Sequence, residues 1–472
     1  MVDSDVYTPT VGGRGVETDE TFDVVDPSRG EPFAQAPEAG IPQLDEAVRS
    51  AVGAFSTWRR DEAARVTAMR AAADVIEANV DTLAPLLTRE QGMPLAAARA
   101  EVASGAHCLR WAAGLEVPRE LVRDDGSGYA EVFRRPLGPV AAITPWNYPV
   151  TLSFWKIAPA LRAGNTVVLK PSPFTPLTLL EIGRLLRGIL PDGVLNVVSG
   201  TNGLGEALVA HPAIRKVSFT GATATGREVG AAAAHDLKRM TLELGGNDPA
   251  IVFDDVDVAA SAPLLFWSSF TNSGQVCLAA KRVYVQGGVY DEVVEAVSEY
   301  ARTVVMGDGL EEGTQLGPLT TRSQFDRVSE LVDEALARGA RAAAGGAPLE
   351  RPGHFFAPTV LADADDGMRV VDEEQFGPVM PIVRFSDADE AIARANSSEF
   401  GLTASVWSAD RDRALAVAAE LECGQVGIGM HGLALQPDLP FGGFKASGVG
   451  VENGLWGYYE YTQTQAIAAP PA

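Results

Sequence analysis

Cysteine, histidine and positive charge are all scarce in this chain of 472 residues. Three cysteines are present, Cys108, Cys277 and Cys423, and no two form a Cys-x-x-Cys pair. So sparse and odd a set excludes a disulfide framework and suits a reducing, cytoplasmic compartment. The five histidines, His107, His211, His235, His354 and His431, show no metal-ligand spacing among themselves or with the cysteines. A metal site is therefore not expected. Lysine and arginine number 38 against 62 aspartates and glutamates, a formal net charge of −24. A phosphate-backbone binder needs a basic footprint, so neither nucleic acid nor an anionic membrane surface is an expected partner. No apolar run approaches the roughly 18 residues of a membrane span. The first ten residues lack the basic and apolar regions of a secretory signal.

What is abundant is ordinary core material: 46% of residues are hydrophobic and 21% charged. At about 150 residues per domain the length allows roughly three units, or fewer large ones. Leu44, Ala47, Val48, Ala51, Phe55 and Trp58 recur at three- and four-residue steps and make one apolar helix face. Further helices are expected from Glu62 to about Leu87 and from about Leu95 to Ala113. Between Leu121 and Arg135 the cluster Asp124-Asp125-Gly126-Ser127-Gly128 separates two strand-like arms, the pattern of a hairpin. From Pro139 to Thr220 short apolar strands alternate with helical stretches, which implies a parallel sheet with crossover helices. Such sheets bind ligands beyond the carboxyl ends of their strands. Those ends fall at Thr144 to Asn147, Lys170 to Pro173 and Thr220 to Gly226. A second alternation runs from Ala250 to about Val426, and a strand-like stretch, Tyr458 to Ile467, closes the chain.

Gly427-x-Gly429-x-x-Gly432 matches a dinucleotide fingerprint as a string. The fingerprint must open a helix, whereas Pro437, Pro440, Gly442 and Gly443 follow here, so it is read as a loop. Cys277 lies in Asn272-Ser273-Gly274-Gln275-Val276-Cys277, expected to be a loop entering a helix of Leu278, Ala279 and Ala280. A thiol at a helix start is acidified and can act as a nucleophile; a buried, inert cysteine fits the local sequence equally well. Glu243, between two leucines and followed by Gly245-Gly246, has the setting of a general base whose pKa burial raises. It also has the setting of a strand-end carboxylate in a salt bridge. Asn147, in Thr144-Pro145-Trp146-Asn147-Tyr148-Pro149, sits in a loop stiffened by two prolines. Its amide can serve as an oxyanion donor or cap its own turn. Phe219 to Gly226 leaves a strand and opens a helix whose free N–H groups can bind phosphate.

Taken together and in this order, these segments resemble the NAD(P)-dependent aldehyde dehydrogenase superfamily. The likeness extends through Lys170-Pro171-Ser172, Pro191-Asp192-Gly193-Val194, Glu373-Glu374-Gln375-Phe376-Gly377-Pro378-Val379, Asn396 with Phe400-Gly401-Leu402, and Pro440-Phe441-Gly442-Gly443-Phe444-Lys445 with Ser447-Gly448. It implies an α/β fold of two parallel-sheet domains and a small β oligomerisation element. The cofactor domain would comprise residues 1–114 and 137–245, and the catalytic domain 246–428. The hairpin and C-terminal strand, 115–136 and 455–472, would join a homodimer or homotetramer.

The same resemblance implies roles. Cys277 is the nucleophile, Asn147 and the Cys277 backbone N–H form the oxyanion hole, and Glu243 activates water. Thr144, Pro145, Trp146, Lys170, Ser172, Gly221, Ala222, Gly226, Leu244, Glu374 and Phe376 belong to the cofactor site. The cofactor is NAD, with NADP also possible. The substrate is an aldehyde; a CoA-acylating relative is the alternative, against which the presence of Glu243 speaks. Tyr148, Leu152, Trp155, Thr271, Leu278, Leu435 and Phe441 are expected near the substrate tunnel. None is basic, which favours apolar or aromatic aldehydes. The chain departs from the family pattern in four places: Ala222 replaces a frequent phosphate-contacting serine, Pro173 a ribose-binding glutamate of many NAD-preferring relatives, Gly429 an asparagine common after the last core strand, and Val451-Glu452-Asn453 the usual Arg-Glu stretch after the glycine-rich loop.

Overall fold

A computed structural model describes residues 7–432 and 436–471. The Leu44–Trp58 apolar stripe lies on a helix, Ile41–Trp58, whose Leu44, Ala47, Val48 and Ala51 are buried. The expected helix from Glu62 to about Leu87 is instead two, Glu62–Ala78 and Val80–Gln91. Asn79 separates them: its side chain donates back to the Val75 carbonyl, and its own carbonyl accepts from Thr82 and Leu83. The apolar period runs through this junction without a break, so the pattern alone does not reveal it. The next helix is Leu95–Gly114.

The first sheet has five parallel strands at its centre, in the order Arg239–Glu243, Lys216–Thr220, Pro139–Ile143, Thr166–Lys170 and Leu195–Val197. Short antiparallel strands close both edges, Gly448–Val449 against Arg239–Glu243, and Thr10–Val11 against Leu195–Val197 with Arg14–Gly15 outside it. The chain builds outward from Pro139–Ile143 in one direction, then returns to its other side with Lys216–Thr220. The carboxyl ends of these two strands are thus the topological switch point, where open α/β sheets form a ligand crevice. Thr144 to Asn147 leaves one end and Gly221 to Gly226 the other.

The second sheet runs Arg341–Ala344, Thr359–Ala364, Val379–Phe385, Ala280–Gln286, Asp248–Val252, Thr403–Trp407, Gln425–Ile428, and only its first pair is antiparallel. It offers the opposite ends of its strands to the crevice. Gly246, Cys277, Phe376 and Phe400 each lie shortly before the strand that follows them. The rule that places ligands at carboxyl ends therefore holds for the first sheet and is reversed in the second.

The hairpin arms, Glu120–Asp125 and Gly128–Pro136, pair with a C-terminal strand, Thr462–Ala469, to make a separate antiparallel sheet. That strand starts later than its sequence suggests, because Gly454–Tyr459 forms a short helix. Among the described residues no helix is long and apolar enough to cross a membrane. Nor is any group of three or more His, Cys, Asp or Glu placed to hold a metal ion.

Candidate active site

Cys277 follows a strained turn. Asn272, Ser273 and Gly274 have φ of 51°, 54° and 72°, three successive left-handed residues of which only the glycine adopts that conformation freely. Neighbouring groups hold the turn. Ser273 Oγ donates to the Gly317 carbonyl at 2.6 Å, and Gln275 Oε1 accepts from the Thr320 N–H at 2.9 Å. The segment after Cys277 enters a strand, Ala280–Gln286, and not the expected helix. The acidification a helix start would provide is therefore missing. Burial pushes the Cys277 thiol above its ordinary pKa, the charges of Glu374, Asp248 and Glu243 add to the rise, and only the Leu278 N–H opposes it.

Asn147 is bound to the same turn from both sides. Its Nδ2 donates to the Gln275 carbonyl and its own carbonyl accepts from Asn272 Nδ2, each at 3.0 Å. The helix that begins at Pro149 is capped from a distance: buried Glu101 accepts the N–H groups of Val150 and Thr151, both at 3.0 Å. One amide hydrogen of Asn147 remains for another acceptor.

Glu243 ends the Arg239–Glu243 strand and is 2% exposed. Neither carboxylate oxygen has a hydrogen-bond partner within the protein, a rare condition for a buried charged group. Burial first, and the Glu452 carboxylate second, hold its pKa well above the usual carboxylate range; Lys156 pulls the other way. The glycine-rich segment folds over it. Glu243 pairs with Gly448 in the edge strand, and a Cβ on Gly442 would lie 3.6 Å from Glu243 Oε1.

Two cavities meet at Cys277. The larger, about 460 Å³, is lined by Pro145, Trp146, Asn147, Leu152, Gly221, Ala222, Thr223, Leu244, Gly245, Glu374 and Phe376 among others. The smaller, about 210 Å³, is lined chiefly by Tyr148, Thr151, Leu152, Trp155, Trp267, Val276 and Leu278. Asn147, Leu152 and Cys277 belong to both. At the rim of the larger cavity Phe376 meets Trp146 edge to face, with centroids 5.4 Å apart. Glu374 accepts the Gly246 N–H at 3.1 Å, and burial raises its pKa to about 7. Thr223–His235 starts as a helix at Ala222 with no side-chain cap, so its first N–H groups are free for an anion.

The chain matches the model of the aldehyde dehydrogenase family over residues 15–467. It is 40% identical to the succinate-semialdehyde dehydrogenase [NADP(+)] of Escherichia coli over 452 residues, 94% of this chain and 93% of that one. It is also 40% identical to a glutarate-semialdehyde dehydrogenase of Pseudomonas aeruginosa over 467 residues, 97% of this chain and 96% of the other. The NAD+ complex structure of an aldehyde dehydrogenase from Bacillus cereus superposes with a TM-score of 0.96 at 34% identity, covering 99% of this chain and 97% of that one. The chain belongs to the aldehyde dehydrogenase family. Its activity is the oxidation of an aldehyde with a nicotinamide dinucleotide, and none of these relatives supports the CoA-acylating alternative.

In this aldehyde dehydrogenase, the sequence-named residues Cys277, Asn147, Pro145, Trp146, Gly221, Ala222, Leu244, Glu374 and Phe376 converge on the larger cavity. Thr144, Lys170, Ser172 and Gly226 are not among its lining residues, and Glu243 lines neither cavity. Thr144 and Lys170 stand at neighbouring strand ends, joined by the bond from the Thr144 N–H to the Lys170 carbonyl. Gly226 lies under Leu244, whose side chain a Cβ there would meet at 2.3 Å. Phe441 backs the channel by packing edge-on against Trp155, with centroids 5.2 Å apart, and Leu435 lies outside the described residues. Sequence reasoning missed Gln324 and Arg327, which reach the larger cavity from the Arg322–Ala337 helix. Their helix has an ordinary polar face with no motif. It also missed Trp267 and His431, which join the smaller cavity from a helix face and a loop.

Proposed function

We propose that this enzyme oxidises an apolar or aromatic aldehyde to its carboxylic acid with NAD, and also with NADP, through a thioester on Cys277. The observation that carries the reading is that Cys277 lines both cavities, so ligands in the two meet at its sulfur.

The residues around the larger cavity fit a dinucleotide. An uncapped helix start faces it, and bare Gly245 leaves room beside Glu374, whose Oε2 a Cβ would approach to 2.7 Å. Residues 221–226 would hold phosphates, Lys170, Ser172 and Glu374 the riboses, and Trp146 with Phe376 would flank the nicotinamide. Thr144, Pro145 and Leu244 shape the walls. Bound NAD or NADP supplies the acceptor for the hydride lost when the Cys277 adduct becomes a thioester.

The remaining steps belong to the protein. Cys277 Sγ gives its proton to solvent water and bonds to the aldehyde carbon, whose oxygen becomes an alkoxide. The free amide hydrogen of Asn147 and the Cys277 backbone N–H meet that charge. After the thioester forms, ionised Glu243 takes a proton from water. The hydroxide adds to the acyl carbon, the Cys277 thiolate leaves, and the acid departs.

The smaller cavity gives the substrate class. Among its described lining residues none is Arg or Lys. The ring nitrogens of His431 engage Ser405 Oγ at 2.8 Å and Thr403 Oγ1 at 3.3 Å. A carboxylate-bearing semialdehyde would enter without a charge partner, at a desolvation cost. Residues 1–114 with 137–245 form the cofactor half and 246–428 the catalytic half. Residues 115–136 with 455–472 join copies into a homodimer or homotetramer in the cytoplasm. Exposed Leu121, Val122 and Ile467 on that sheet support the last assignment.

The test supplies benzaldehyde, hexanal or succinic semialdehyde with either cofactor and no CoA, and follows reduced cofactor and acid product. Oxidation of the first two with a higher kcat/KM is expected. A requirement for CoA, or a preference for succinic semialdehyde, would overturn the reading.

A further inference from the structure

The Ala280–Gln286 strand carries a lysine, Lys281, whose side chain is fully buried. Its ammonium donates to two backbone carbonyls, Gly274 at 2.6 Å and Gly377 at 3.1 Å. An apolar side chain would fill the same space without the cost of burying an amine. The two carbonyls account for the amine. Gly274 ends the strained turn three residues before Cys277, and Gly377 follows Phe376, itself left-handed at φ 50°. At this crossing the backbones touch: a Cβ on Gly274 would lie 2.0 Å from the Gly377 oxygen and 2.9 Å from Lys281 Nζ. A second bond joins the same elements, from Gln375 Nε2 to the Lys281 carbonyl at 3.3 Å. Burial lowers the pKa of Lys281 to about 7, against the opposing pull of Glu374 and Asp248. A neutral amine keeps two N–H donors, enough for both carbonyls, so the bonds persist on either side of neutrality.

We propose that Lys281 is a positioning residue that ties the Cys277 turn to the Glu374–Gly377 segment and so sets the nucleophile against the nicotinamide side of the cavity. This inference rests on the assignment of Cys277 as nucleophile and of Glu374 and Phe376 to the cofactor. It separates two reactions of one thiol. Hydrolysis of an ester needs Cys277, Asn147 and Glu243 but no cofactor. Aldehyde oxidation also needs the thiol adduct aligned with the nicotinamide.

The experiment compares Lys281→Met, Lys281→Gln and the unaltered enzyme. p-Nitrophenyl acetate hydrolysis is measured without cofactor, and the single-turnover rate of cofactor reduction with benzaldehyde. Lys281→Met should slow cofactor reduction by about tenfold to a hundredfold while ester hydrolysis changes by less than about twofold. Lys281→Gln, which keeps two N–H donors, should recover part of the loss, and it gives the same comparison if the methionine variant does not fold. An equal fall in both reactions, or no fall in either, would overturn the proposal. Cys277→Ala runs alongside: if it kept either activity, the underlying assignment would fail, not the tie.

Discussion

Lys156 and Glu452 pair at 2.5 Å with neither side chain exposed, and both act electrostatically on Glu243. The Glu452 carboxylate pushes the Glu243 pKa up while Lys156 pulls it down. Glu452→Gln removes the first influence and keeps the second, with burial and the Glu460 charge still opposing it, so the Glu243 pKa falls but stays raised. A base works only when ionised, so the acid limb of acyl-enzyme hydrolysis should move to lower pH. The pH dependence of steady-state ester hydrolysis measures this. An unmoved limb, or one displaced upward, would remove Glu452 from the account. Breaking a buried pair costs about 3–5 kcal/mol, so a lower melting temperature should accompany the shift.

Glu243→Gln should leave thioester formation nearly intact and slow its hydrolysis, by about 10²–10⁴-fold for loss of a general base. Rapid mixing with aldehyde and NAD should still give a burst of reduced cofactor, followed by a much slower steady rate. Loss of the burst together with an equal fall in turnover would place Glu243 before the thioester.

The thiol itself should report its surroundings. Its pKa is raised, so in the cofactor-free enzyme the thiolate fraction climbs with pH throughout the neutral range. Alkylation of Cys277 by iodoacetamide should rise about tenfold per pH unit between pH 7 and 9, as for any acid well below its pKa. A plateau beginning near pH 7 would mean an acidified thiol of the kind the sequence suggested.

That contrast marks what the sequence reveals and what it hides. The parallel sheet was legible because its strands are short apolar runs separated by helical ones, and the strand ends at Thr144, Lys170 and Thr220 fall where expected. Glu243 was legible because leucines and glycines around a carboxylate signal burial. The course of the chain after Cys277 was not. Leu278, Ala279 and Ala280 favour a helix locally, whereas pairing of the Ala280–Gln286 strand with Asp248–Val252 and Val379–Phe385 overrides that preference. Lys281 was invisible for a related reason: nothing local tells a surface lysine from one that spans two carbonyls. Arg327 reaches the larger cavity from a helix distant in sequence from Cys277, so only the tertiary arrangement brings it there.

The adenosine end of the cofactor site gives a last prediction. NADP differs from NAD by a phosphate on the adenosine ribose, and the resemblance places that ribose beside Lys170. A glutamate at position 173 would bind the free hydroxyls of NAD and repel that phosphate; Pro173 does neither. Lys170, 4% exposed, and Ser172 remain as donors. NAD thus lacks one specific contact and NADP one specific penalty, while the net charge of −24 mildly disfavours the more anionic cofactor. The expected preference for NAD is less than about a hundredfold, or roughly 3 kcal/mol. Burial pushes the Lys170 pKa down to about 8, with Glu38 opposing. The cation that would pair with the phosphate is present below that pH and lost above it. Relative kcat/KM for NADP over NAD should therefore decline from pH 7 to pH 9 at saturating aldehyde. Pro173→Glu should shift the ratio towards NAD at every pH, and Lys170→Met should flatten its pH dependence. A ratio constant with pH in the unaltered enzyme would show that Lys170 does not meet the phosphate.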